Sequence, residues 1–89
     1  TLDGERELQS LAHRLKTFPF FYVRVIGHAR AEGDPEANRA LAADRAEASA
    51  KYLITQGVAA QRLRAETAPS TVAAGEAQAV SFAVGQKAD

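Results

Sequence analysis

A run of aromatic and β-branched residues at 20–26 leads directly into Gly27-His28, and a glycine-containing loop then opens a long helix with both ends legible in the sequence. Asp34-Pro35 is a helix start: an aspartate whose side chain caps the first free N–H groups, then a proline with its φ already helical. Gly57 suits the left-handed residue that closes a helix, with Val58 after it as the hydrophobic contact. These limits predict a helix over 35–56. Leu41, Ala48 and Leu53 are its expected core contacts, with Tyr52 partly buried. On the strand before it, Phe21, Val23 and Val25 alternate with Phe20, Tyr22, Arg24 and Ile26. Both sets are mostly apolar, which predicts a strand covered over most of both faces, with Arg24 leaving near an edge.

The flanking segments complete a small domain. Leu8, Leu11, Ala12 and Leu15 recur at helical spacing and predict a helix over 3–16, capped by Thr1 or Asp3 and stopped before Pro19. Residues 62–67 alternate Leu63, Ala65 and Thr67 against Arg64 and Glu66, the pattern of a strand with one wet face. A turn-forming stretch at 68–75 precedes a last strand over 78–84, with Val80, Phe82 and Val84 facing the core and the tail 85–89 frayed. The strand–helix–strand segment predicts a right-handed parallel crossover. The last two strands are close enough in sequence for a hairpin. The fold class is α/β: a two-layer sandwich with two helices on one face of a small mixed sheet, one domain over 1–89.

Composition excludes several functions. Eleven basic and eleven acidic residues cancel, so no bulk field draws the chain to nucleic acid. Cysteine is absent, which removes disulfides, thiolate catalysis and cysteine-ligated zinc. No apolar run is long enough for membrane insertion by this segment. Ser10, Ser49, Ser70 and Ser81 have no base and orienting group in evident reach, and the two histidines fall on different elements. The sequence predicts no enzyme, no metal and no cofactor. The chain does not begin with Met, and it reads as part of a longer gene product.

Gly27, His28, Gly33, Asn38, Leu41, Arg45, Ala46, Tyr52, Leu53 and Gly57 occur in an order and at spacings that resemble the OmpA-like domain family. The resemblance spans nearly the whole chain. It implies the order strand, helix, strand, helix, strand, strand, with the first strand lacking a counterpart here. It also implies a periplasmic, cell-envelope setting within a larger exported or membrane-anchored protein, and a peptidoglycan stem peptide as partner. In that family the ligand is meso-diaminopimelate, which presents an ammonium beside a carboxylate. The resemblance places an aspartate for the ammonium at the position of Arg30, and at Arg45 an arginine for the carboxylate.

The implied ligand-binding set is therefore Arg45, Asn38, Gly27, His28 and Arg30, with the loop at 27–33 shaping the pocket. Arg30 reverses the expected charge, and Ala29 replaces the threonine before it. The family's Asn-Arg-Arg signature falls near Ala77-Gln78-Ala79, where none of it survives. These departures predict weak or absent binding of the stem peptide. The alternative is a scaffold reused for protein–protein interaction or for an anionic ligand, with Arg30 and Arg45 both facing the pocket. His28 is expected to bond the loop backbone, and Asn38 to order the loop. A missing first strand would leave a sheet edge open, from which a homodimer through that edge is expected.

Overall fold

The computed structural model describes residues 2–69 and 79–86. Helix α1 spans Leu2–Thr17, strand β1 Tyr22–Ala29 and helix α2 Pro35–Thr55. A single 3-10 turn at Ala60–Arg62 leads into β2, Leu63–Pro69, and β3 covers Val80–Gly85. The sheet order is β2-β1-β3, with β1 parallel to β2 and antiparallel to β3. The α/β class, the small mixed sheet and the parallel β1–α2–β2 unit agree with the sequence reading.

Strand order corrects two expectations. The last two strands do not form a hairpin: each flanks β1 on opposite sides. Arg24 lies on the central strand rather than near an edge. Helices meet only one sheet face, because inward-facing Val23, Val25 and Gly27 are buried while Tyr22, Arg24 and Ile26 on the other face are not. The expectation of a strand covered on both faces therefore fails, and Phe20, 80% exposed, lies outside the strand altogether.

The core forms where α1 and α2 lie on β1. Leu11, Ala12 and Leu15 of α1, Val23 and Val25 of β1, Ala46 and Leu53 of α2, and Val58 make one buried cluster. The face of α2 turned inward is Ala42, Ala46 and Leu53. Leu41 is 46% exposed and Ala48 is also exposed, so neither is the core contact expected. The reason is spacing. A Cβ on Gly27 would overlap the backbone carbonyl of Ala42, so helix and strand approach to near contact there. Ala42 therefore faces the strand, and Leu41, one residue away and about 100° around the helix, lies on the flank. Val84 is likewise 52% exposed, whereas Val80 and Phe82 pack against the cluster.

The ends of α2 follow the sequence. Asp34 Oδ1 accepts from the Glu36 N–H at 3.1 Å, and Pro35 is the first helical residue. At the other end Gly57 has φ of +101°, the left-handed region. The Val58 N–H returns to the Leu53 carbonyl at 3.1 Å, and the two side chains are buried together. The capping side chains proposed for α1, residues 77 and 78 of the signature position, most of the 68–75 turn and the end of the tail lie outside the described residues.

Candidate functional site

Strand β1 runs three residues further than the sequence suggests, through Ala29, so Gly27 and His28 belong to the sheet and not to the loop. Gly27 is a packing residue against Ala42. His28 projects from the open sheet face and bonds Ser81 Oγ through Nε2 at 2.7 Å, not the loop backbone. Its own N–H donates to the Ala79 carbonyl at 2.9 Å, extending the β1–β3 ladder.

The true loop begins at Arg30. Asn38, in the first turns of α2, donates from Nδ2 to the Arg30 carbonyl at 3.1 Å and to the Glu32 carbonyl at 2.6 Å. One amide thus fastens two loop carbonyls to the helix, the ordering role expected of it. Gly33, with φ of +91°, makes the reversal that brings the chain to the Asp34 cap.

Around this loop lies a cleft of about 420 Å³. It opens past the carboxyl ends of β1 and β2, where Ala29 and Arg30 face Thr67 and Pro69, and α2 closes the side with Pro35 and Arg39. The location is the usual one for ligands in α/β sheets, outside the carboxyl ends of parallel strands. Pro35 and Arg39 are one helical turn apart and therefore share a face.

Arg45 does not line this cleft. Six residues beyond Arg39, it lies roughly 9 Å further along α2 and about a third of a turn away around it. It is exposed, with no hydrogen bond or ion pair to any described side chain. The structure therefore brings Arg30 together with Arg39, not with Arg45, and Asn38 supports the loop from beneath. Sequence reasoning passed over Arg39. The available signal was its spacing from Pro35 at the start of a helix whose position was already fixed.

Arg24, Arg64 and Arg62 are occupied. On the open sheet face Arg24 and Arg64 are cross-strand partners, and Glu66 lies beside both. Arg24 Nε bonds Glu66 Oε1 at 3.0 Å, and Arg64 Nε is 3.7 Å from Glu66 Oε2. The hydrogen bond from Arg24 holds the Glu66 carboxyl below its ordinary pKa, and Glu66 raises that of Arg24 in turn. Arg62 donates to the carbonyls of Phe21 at 2.9 Å and Phe18 at 2.8 Å, fastening the α1–β1 connection. Among the described residues, no helix is long and apolar enough to cross a membrane.

The model of the OmpA family matches residues 1–83. A peptidoglycan-associated lipoprotein of Agrobacterium fabrum is 40% identical over 62 residues, covering 70% of this chain and 35% of that protein. The probable lipoprotein YiaD of Escherichia coli is 40% identical over 63 residues, 71% of this chain and 29% of that protein. The chain thus spans about a third of the length of the curated relatives it matches. The C-terminal domain of Helicobacter pylori MotB superposes with a TM-score of 0.79 at 21% identity, over 98% of this chain and 75% of that one. The OmpA-like domain of FopA1 from Francisella tularensis does so at 0.66 and 16%, over 89% and 59%. Strand order, the paired helices on one sheet face and these matches agree, and the chain belongs to the OmpA family.

Proposed function

We propose that this chain is a non-catalytic cell-envelope domain of a larger exported protein that meets peptidoglycan and engages its diaminopimelate stem peptide weakly or not at all. The observation that carries this reading is the cleft at the end of β1, where Arg30 and Arg39 stand together and, among the described residues, no acidic side chain lines the wall. A ligand that presents an ammonium beside a carboxylate needs an anion and a cation at matching places. With Arg30 in place of an aspartate, the ammonium meets a guanidinium, and a charge-assisted hydrogen bond worth about 1.5–3 kcal/mol is missing. That corresponds to roughly a ten- to hundredfold loss of affinity. The peptidoglycan association in the name of the Agrobacterium fabrum relative supports the wall as the general partner.

Co-sedimentation with diaminopimelate-containing sacculi tests the reading. The wild-type chain is expected to stay largely in the supernatant, and Arg30→Asp to move into the pellet. Quantitative pelleting of the wild type, with release on Arg30→Asp, would overturn it. A second reading, a scaffold reassigned to an anionic ligand, is favoured by the cation pair in the cleft.

A further inference from the structure

We propose that the cleft between the end of β1 and the start of α2 is a binding site for a ligand with two carboxylates on a short apolar spacer, held by Arg30 and Arg39. The proposal rests on the reading above that Arg30 turns this site against an ammonium, and it names what the site accepts instead.

Charge balance distinguishes this cleft from the other places where arginines gather. Arg24 and Arg64 share Glu66, whose carboxylate already occupies both guanidinium groups and offsets one of their two charges. Arg62 is committed to two backbone carbonyls. The groove between α1 and β3 that Arg14 lines also holds Glu7. In the cleft, neither Arg30 nor Arg39 has an ion pair or side-chain hydrogen bond to any described residue, and among the described residues no carboxylate lines it. Of the acids near it in sequence, Asp34 is engaged as the helix cap, and neither Glu32 nor Glu36 is among the lining residues.

Shape and order add to charge. The two guanidinium groups come from different elements, a loop and a helix, and Ala29, Pro35 and Pro69 wall the space between with methyl and ring carbons. Each planar guanidinium takes a carboxylate through two parallel N–H bonds. An aliphatic spacer suits the apolar wall better than a compact hydrated anion does. Asn38 holds the Arg30 carbonyl, so the backbone carrying that arginine is fixed before any ligand arrives. Binding then spends less conformational freedom than a free loop would.

Pimelate and meso-diaminopimelate share one carbon chain and two terminal carboxylates, and differ in the ammonium groups carried by the second. Titration of the labelled chain with each, and with inorganic phosphate, followed by amide chemical shifts, tests the site. Pimelate is expected to saturate in the millimolar range with shifts at Ala29, Arg30, Arg39 and Thr67, and to bind at least about fivefold more tightly than meso-diaminopimelate. Arg30→Ala and Arg39→Ala should each weaken pimelate by about tenfold. Arg14→Ala, on the α1–β3 groove, should leave it unchanged.

Equal or tighter binding of meso-diaminopimelate would overturn the proposal. So would phosphate binding as tightly as pimelate, an equal loss in Arg14→Ala, or no saturation from a folded chain. Weak sacculus binding with no pimelate binding defeats this inference alone. Tight sacculus binding by the wild type defeats the functional reading beneath it.

Discussion

Arg24 and Arg30 lie on one short segment of chain and meet opposite electrostatic surroundings. Within the sheet, Arg24 faces Arg64 across the parallel pair, an arrangement that repels until Glu66 enters between them. Just past the last described rung of the ladder, Arg30 has no described strand residue beside it to supply a carboxylate, and it shares a cleft with another arginine. Register explains the difference. Inside a sheet, neighbours at fixed spacing neutralise a charge, whereas at the strand end the chain leaves the lattice and a charge stays available to a ligand. One face of β1 is thus closed electrostatically, and its carboxyl end is open.

The comparison breaks most severely at Gly27, the residue between the two regions. Gly27→Ala forces a methyl group against the Ala42 backbone, which cannot move aside as a side-chain tip can. Overpacking of this kind costs typically about 1–3 kcal/mol and more where backbone must shift, so a loss of at least about 3 kcal/mol is expected in chemical denaturation. A wild-type midpoint for Gly27→Ala would mean that α2 does not lie so close to β1.

Asn38→Ala sharpens the comparison from the cleft side. Two hydrogen bonds to loop carbonyls disappear at about 0.5–1.5 kcal/mol each. Amide exchange over residues 30–33 should accelerate while that of β1 stays protected. Uniform loss of protection across both would show that the loop is not a separate unit. Asp34→Ala removes the helix cap, for about 1 kcal/mol, with faster exchange confined to the first turn of α2.

The smallest effect concerns the closed face. The carboxyl of Glu66 titrates below its unfolded value, chiefly because Arg24 bonds its ionised form. Its contribution is present above the unfolded carboxylate pKa and fades as the pH falls through the lower folded value. Glu66→Gln should therefore melt slightly below wild type at neutral pH, and the two curves should converge in acid. A difference that widens in acid would contradict the ion-pair account.

Legibility in the sequence followed the range of the interactions. The limits of α2 were readable because Asp34, Pro35 and Gly57 act on backbone within a few residues of themselves. The class of the sheet was readable from alternation. Strand order was not, since adjacency in sequence suggested a hairpin while β3 pairs with β1 instead. On the inward face of α2, Leu53 is buried as expected while Leu41 and Ala48 are not, because the close approach of Gly27 to Ala42 turns Ala42, Ala46 and Leu53 toward the sheet. Arg30 was visible as a departure from the family pattern. Arg39 became visible only when Pro35 and the ends of β1 and β2 were placed around one space. His28 was misassigned for a related reason: its partner, Ser81, is distant in sequence and comes near only through the β1–β3 pairing.

The central claim is that the charge at position 30 sets what this member of the family can hold. A residue-resolved titration of the wild type and Arg30→Asp with a diaminopimelate-containing muropeptide tests it most directly. The account predicts that Arg30→Asp binds at least about tenfold more tightly than wild type, with the gain in shifts centred on residues 29–39. Equal affinities, or tighter binding by the wild type, would contradict it.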